Sequence, residues 1–330
     1  MKPILLHYYV TYRCNARCEF CNIWDPAVWD HRHMPSWEQM SANLGAARRL
    51  GCRFVDFTGG EPLLYPDLPN ALRLARKLGY RTSTTTNCVL YPKRAKELAG
   101  LVDLLHFSLD AANRKLHDAG RGFPCFDRVM ESLDLALSLG ERPDILFTAT
   151  NQTYRELEPL ASLARKLGVM LIVNPEFSYF GNAGFGAQAL DYLASYADEP
   201  YVYVNRAFHR LVRAGGNDRR RPTCHAVEAV IVVSPDDHLL LPCFHQQRER
   251  VRIDGKLEEL HRSVLVEQYR ALDGRHPFCQ GCTINCYMDP SFLYRANAYM
   301  VLSLAAKTKY AVDKYIRGRP TIARAAVPAG

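Results

Sequence analysis

The sequence predicts an α/β protein: a parallel sheet covered by helices through residues 1–176, then a smaller cysteine-rich segment and a C-terminal helix. Three observations carry this. Apolar stretches alternate with amphipathic ones at a spacing of about 25–35 residues, the rhythm of stacked strand–helix units. The apolar stretches are nearly continuous, as in strands covered on both faces. Boundary residues punctuate the amphipathic stretches where helix ends require them.

In chain order, strands are expected at Ile4–Val10, Phe54–Thr58, Thr82–Thr86, Leu104–Leu109, Ile145–Thr150 and Val169–Val173. Helices are expected at Trp37–Leu50, Leu68–Leu78, Lys93–Ala99, Phe126–Leu139 and Tyr154–Leu167. Ser36 with Gln39, and Thr153 with Glu156, have capping-box spacing. Gly51, Gly79, Gly140 and Gly168 follow the last periodic residue of four helices, where a left-handed cap favours glycine. Six such units suit either a doubly wound sheet or an incomplete barrel, and periodicity does not decide between them. The rhythm breaks at Phe180–Gly186. Beyond it come a helical stretch near Ala189–Ala197, a basic run Arg219–Arg221, and a hairpin-like pair, Ala229–Val233 and Leu239–Leu241. A cysteine-rich segment at 279–286 precedes a helical tail.

With 330 residues, 48% of them hydrophobic, the chain can bury a large core, and its interspersed 23% charged residues exclude bulk disorder. A net charge of +8 suits either an anionic partner or a slightly basic soluble enzyme. The opening MKPILLHYYVTYRC reads as a first strand rather than an export signal. No stretch reaches the ~20 apolar residues that span a bilayer. A cytoplasmic location is therefore expected, and eleven cysteines there point to metal rather than disulfides.

Cys14, Cys18 and Cys21 form C-x3-C-x2-C directly after the first strand. Three thiolates on one loop can hold three irons of a cubane and leave the fourth open, unlike electron-transfer clusters closed by four cysteines. Structural zinc is the competing reading, but it normally takes four protein ligands.

With Phe20 at the aromatic place, this segment resembles the hallmark of the radical S-adenosylmethionine (SAM) superfamily. The resemblance continues in order. Thr58-Gly59-Gly60-Glu61-Pro62 looks like the family motif that binds the SAM amino group, its glycines letting backbone approach a ligand. Asn87 ends the third strand, and Ser108 with Asp110 resembles the ribose- and carboxylate-contacting segment. Asp118, Arg121-Gly122 and Phe126 echo a pattern of the branch related to molybdopterin biosynthesis enzymes, and Asn151 and Asn174 end strands five and six. The chain departs from the pattern at Cys88, where relatives carry glycine. What the resemblance implies is a partial (β/α)6 TIM-type barrel with a small C-terminal iron–sulfur module and a C-terminal helix. It also implies a [4Fe-4S] cluster that cleaves SAM reductively to a 5′-deoxyadenosyl radical, fed by a one-electron reductant such as flavodoxin or ferredoxin.

Cys224 and Cys243, 19 positions apart, and Cys279, Cys282 and Cys286 form a second metal-like group, with zinc again the alternative. Their layout resembles the twitch module, a shortened SPASM domain that holds one auxiliary [4Fe-4S] cluster. The resemblance assigns Cys224, Cys243, Cys279 and Cys282 as ligands, with Cys286 spare or substituting. Cys52, Cys88 and Cys125 lack metal spacing and suit core or pocket thiols.

Residues 290–318 pattern as one helix whose uncharged centre, Ala296–Ala306, is 11 residues long. It suits either an interfacial helix on an acidic membrane, with a lipid or isoprenoid substrate, or a helix closing the barrel edge with lysines reaching solvent. The expected division is barrel 1–180, auxiliary module 181–289, and tail 290–330. The leading function is a radical SAM enzyme acting on a small molecule or lipid. Alternatives are a twitch-type dehydrogenase or maturase acting on a soluble compound or peptide, and a metal-containing RNA-binding module. The last rests on the +8 net charge and the Arg219–Arg221 run, and nucleic acid is the weakest partner because a mere binder does not need the glycine and strand-end constellation.

Overall fold

A computed structural model describes residues 2–177 and 185–317. The break expected at Phe180–Gly186 and the boundary at residue 180 fall largely outside the described residues, as does the tail beyond 317.

Ten strands form one sheet: β1 Leu5–Thr11, β2 Phe54–Gly59, β3 Arg81–Thr86, β4 Leu104–Ser108, β5 Asp144–Ala149, β6 Leu171–Pro175, β7 Val202–Val204, β8 Val230–Val233, β9 His238–Leu241 and β10 Glu249–Arg252. Their order is β10-β9-β8-β1-β2-β3-β4-β5-β6-β7. Every pairing from β8 through β1 to β7 is parallel, and β9 and β10 add antiparallel. From β1 to β7 each strand joins on the same side of the last. A doubly wound sheet reverses direction at a switch point, so this order excludes that alternative. The result is a partial barrel, and β8–β10 of the expected separate module extend the same sheet beyond β1.

The two faces of the barrel differ in chemistry. Outward side chains such as Val55, Phe57, Leu105, Phe107, Ile145 and Phe147 are fully buried or nearly so under the helices. Two outward threonines join them without penalty, because Thr84 Oγ1 donates to the Phe57 carbonyl at 2.8 Å and Thr82 Oγ1 to Leu101 at 2.8 Å. The inward positions Asp56, Ser83, Thr85, His106, Thr148 and Asn174 are polar and only half-buried. A barrel filled by layers of branched apolar residues would be a solid core. This one has a mixed inner face, those polar residues standing beside inward Leu104, Leu146 and Ile172.

Helix boundaries follow the local signals in most places. Trp37–Leu50 begins at Ser36, whose hydroxyl accepts from Gln39 N while the Gln39 side chain accepts from Ser36 N at 2.9 Å. The capping box expected at Thr153 does not form. Thr153 Oγ1 instead accepts from Thr150 N at 3.0 Å, and Glu156 reaches Ala112 N at 3.0 Å, so the chain turns through a short 3-10 segment before Leu157–Leu167.

The expected single tail helix is two, Asn285–Ser291 and Ala298–Ala311, the second capped by Asn297 and running into a π turn at Val312–Ile316. Its lysines are paired, Lys307 and Lys309 while partly exposed and Lys314 while buried. Lys314 Nζ lies 2.7 Å from Asp144 Oδ1 at the start of β5, with 4% and 1% of the two side chains exposed. Tyr310 donates to the other carboxylate oxygen at 2.6 Å. Lys309 donates to the Glu199 and Val202 carbonyls and Lys307 to Asp289. The tail is a strut against the N-terminal ends of the barrel strands. Removing one partner of a buried ion pair strands the other charge. Lys314→Ala should therefore lower unfolding stability by about 3–5 kcal/mol in denaturant titration, and a loss under about 1 kcal/mol, as for a surface pair, would contradict it.

Candidate active site and second cysteine cavity

The loop from β1 to the first helix carries Cys14, Cys18 and Cys21, and it is held by backbone. Gly60 N donates to the Thr11 carbonyl at 2.9 Å and Glu61 N to Arg13 at 2.8 Å. A Cβ at Gly59 would lie 2.0 Å from the Thr11 carbonyl oxygen, and one at Gly60 would lie 2.1 Å from that of Arg13. These glycines thus admit the cysteine loop itself, where the sequence suggested approach to a ligand. On the other side, Arg17 N donates to Arg121 O at 2.9 Å and Glu19 N to Gly120 O at 3.1 Å. Gly122, left-handed at φ 60°, clears the Arg17 carbonyl, which a Cβ would meet at 2.5 Å.

Glu61 is buried, and burial pushes its pKa up. Its carboxylate accepts from Thr86 Oγ1 at 2.8 Å, Asn87 N at 2.8 Å and Leu63 N at 3.1 Å, knitting the loops after β2 and β3. Cys88, the departure from the family pattern, takes a left-handed φ of 68° where glycine is ordinarily easier; its N–H donates to Thr86 Oγ1 at 3.0 Å. Arg121 and Asp110 form a buried pair at 2.6 Å, and Arg121 Nη1 lies 3.7 Å from Cys18 Sγ. Its guanidinium also sits over the Phe20 ring at 5.2 Å. His117, Asp118 and Cys125 converge nearby, but Asp118 caps Cys125 N and Phe126 N, and His117 Nδ1 accepts from Asp110 N; these contacts account for the group as structure.

These residues surround a cavity of about 180 Å³ at the C-terminal ends of the strands. Cys14, Cys18, Cys21, Phe20, Gly59, Gly60, Glu61, Asn87, Ser108 and Arg121 line it. Three expected contacts do not. Asp110 stands behind Arg121. Asn151 is exposed and accepts from Gly186 N at 2.9 Å, while Asn174 accepts from Asn285 at 3.1 Å, facing the second module.

Cys224, Cys243, Cys279 and Cys282 line a second cavity of about 150 Å³, and Cys286 does not. Cys286 is exposed; its carbonyl lies 3.4 Å from His7 Nε2 on the lumen side. Helix Asn285–Ser291 sets Cys286 apart from the other four, which suits the spare reading of the two considered. Sequence reading missed the residue that assembles this cavity. Fully buried Asn217 donates from Nδ2 to the Gly274 and Cys279 carbonyls, at 2.8 and 3.1 Å, and accepts at Oδ1 from Thr223 and Cys224 N. Its own backbone pairs with Cys282 and Gly281. An asparagine in a loop gives no periodic signal, so nothing in the sequence singled it out. Asp273 lines the same cavity, its pKa pushed up to about 7 by burial.

Neither thiol set is gathered tightly enough for a single ion. Zinc–sulfur bonds of about 2.3 Å place tetrahedral sulfurs within ~4 Å of one another. Among the described residues, neither cysteine set brings three sulfurs within 4.8 Å. The first cavity offers three thiols and no fourth cysteine or histidine. It can hold a cluster with one open iron, whereas the second, with four, can close one.

Residues 8–164 match the family model described as Radical SAM superfamily. A "Probable GTP 3′,8-cyclase" of Saccharolobus solfataricus is 30% identical over 254 residues, covering 76% of this chain and 80% of that protein. One of Sulfurisphaera tokodaii is 27% identical over 272 residues, covering 80% and 82%. Among solved structures, anSMEcpe with bound AdoMet aligns with TM-score 0.64 at 16% identity over 96% of this chain and 94% of that one. Streptococcus suis SuiB bound to precursor peptide SuiA aligns with TM-score 0.65 at 17% identity, covering 82% of this chain and 65% of SuiB. At these identities the structures speak to fold alone.

Gly60→Ala forces a Cβ into the Arg13 carbonyl and should displace the cysteine loop. Reconstituted protein should lose about four irons per chain while its far-ultraviolet circular dichroism is unchanged; full iron loading would contradict the docking account.

Proposed function

Because this chain belongs to the radical SAM superfamily, we propose that it abstracts hydrogen from a small polar molecule held in the barrel lumen between its two cysteine cavities. The first cluster and SAM, when bound, supply an electron and a 5′-deoxyadenosyl radical. Cys14, Cys18 and Cys21 would hold that cluster. Arg121, on its Asp110 support, directs positive charge at Cys18, and N–H donors near cluster sulfur favour the reduced state. Asn87, whose Nδ2 lies 2.6 Å from Asn15 Oδ1 and 4.0 Å from Cys14 Sγ, orders the loop beside it. Phe20, Ser108 and the Gly59–Gly60 backbone form the remaining wall, suited to SAM. Cys224, Cys243, Cys279 and Cys282 would hold the auxiliary cluster, and Tyr287 stands between that cavity and the lumen, its ring 5.8 Å from His7. A one-electron reductant such as flavodoxin or ferredoxin is required.

The observation that carries this reading is the set of polar residues on the inner face of β1–β6, Asp56, Ser83, Thr85, His106, Thr148 and Asn174, which lies between the two thiol cavities. Carbon-centred radicals survive only where water and stray donors are excluded, and helix Asn285–Ser291, which meets inward His7 and Asn174, would help to shield the lumen. A lipid substrate and a membrane-facing tail would draw on exposed Val301, Leu304, Tyr315 and Ile316. The lysines that an acidic bilayer would recruit are instead paired with Asp144, Asp289 and Asp313. No helix of the described residues is long and apolar enough to cross a membrane.

Anaerobic reconstitution should give about eight irons per chain and 5′-deoxyadenosine from SAM under strong reductant. Cys286→Ala should keep the iron count, and Cys282→Ala should lower it. A fully loaded protein that forms no 5′-deoxyadenosine would overturn the reading.

A further inference from the structure

The inner face of the barrel has a charge pattern of its own. Strands β1–β7 contain one basic residue, Arg81, which sits at the N-terminal end of β3 and is held by Asp103 at 3.0 Å. Midway along the strands the inward residues include His7, Asp56, Ser83 and His106, the last 3.5 Å from Asp144 of the Lys314 pair, and Thr85 and Asn174 lie nearer the C-terminal ends. Asp56 Oδ2 faces His7 Nδ1 at 3.3 Å with 21% of its side chain exposed, and Thr85 Oγ1 faces His106 Nδ1 at 3.3 Å. Against the upward pull of burial, hydrogen bonds from His7 and Ser83 hold the Asp56 carboxyl below its usual range, so it is ionised at neutral pH. Burial holds His106 below its usual range, so its ring is neutral there. At the mouth, Glu176 follows β6 and feels the charge of Glu19.

Among the described residues, the arginines nearest the cysteine loop have partners of their own. Arg121 is paired with Asp110 at 2.6 Å. Arg13 donates to the His31 carbonyl at 2.8 Å, and Arg17 lies over the Trp24 ring at 5.9 Å. Polyphosphates are recognised by forks of arginine and lysine, and burying several negative charges beside an ionised carboxylate without such a fork is strongly unfavourable.

We infer that the lumen takes a neutral or cationic substrate rich in hydroxyl or amino donors and rejects nucleoside triphosphates, so this chain does not share the GTP substrate in its relatives' name. Donors on the substrate would meet the Asp56 carboxylate, the Cys286 carbonyl and the Ser83 and Thr85 hydroxyls. The inference rests on the proposal that the lumen is the substrate site.

Calorimetric titration of GTP into reconstituted, SAM-loaded full-length protein tests it. Wild type should bind GTP no tighter than about 1 mM. The double variant His7→Arg with Asp56→Asn, which replaces the acid and adds a fork, should gain affinity by about tenfold or more. Circular dichroism and iron content are checked for each variant. Micromolar wild-type binding that disappears in Ser83→Trp, which fills the lumen, overturns the charge inference and leaves the lumen as the site. Micromolar binding retained in Ser83→Trp overturns the lumen reading itself. A folded, loaded double variant with no gain shows that charge is not what excludes GTP, and also overturns the inference.

Discussion

The backbone contact between the β2 loop and the cysteine loop sets the conditions for everything else in the molecule. Gly59 and Gly60 bring two chain segments to hydrogen-bonding distance where no side chain fits, and Gly122 does the same from the opposite side. A loop with three cysteines and no regular structure would otherwise sample many arrangements, and fixing each residue costs about 1–2 kcal/mol in backbone entropy. Here its carbonyls and amides are paired into the ends of β1, β2 and the helix Arg114–Arg121. Buried Glu61 then ties the third strand to the same point. The thiols are positioned by scaffold backbone, and no fourth cysteine or histidine lines their cavity.

From that fixed corner the rest of the architecture follows. The singly wound sheet puts helices on one face and leaves the other as a lumen. β8 pairs with β1 in parallel, carrying the second cysteine group to the same sheet edge. An aromatic column joins the two: Trp29 stacks on Phe244 at 4.7 Å, and Phe244 on Tyr9 at 4.0 Å, with Phe244 directly following Cys243. At the opposite end, Lys314 and Tyr310 close on Asp144, so the C-terminal helix steadies β5 far from the chemistry. Stability and reactivity thus occupy opposite ends of the strands, as in other α/β barrels.

Much of this was legible in the sequence because it depends on local pattern. The first six strands, most of their helices and the Ser36 cap follow from periodicity and end chemistry. The first cysteine cavity follows from spacing, since its residues sit at successive strand ends. Features set by long-range partners were not legible. β7, only Val202–Val204, is too short to give a period, and helix Arg206–Arg213 is masked by its arginines. The Thr153 cap failed because Thr150 and Ala112 compete for its polar groups. The tail's lysines read as solvent-facing because the carboxylate that buries Lys314 lies 170 positions away in sequence. Asn217 and the placement of Cys286 on the lumen side belong to the same class: their roles exist only after the segments around them have been brought together.

The central claim is that one iron of the first cluster is left free by the polypeptide for SAM. Electron–nuclear double resonance of the reduced protein, with SAM labelled by nitrogen-15 at its amino group and oxygen-17 at its carboxylate, reads this directly. Hyperfine coupling from both labels to the cluster is the predicted result. A paramagnetic, fully assembled cluster with no coupling from either label would mean that the corner is occupied by the protein, and the account would fall.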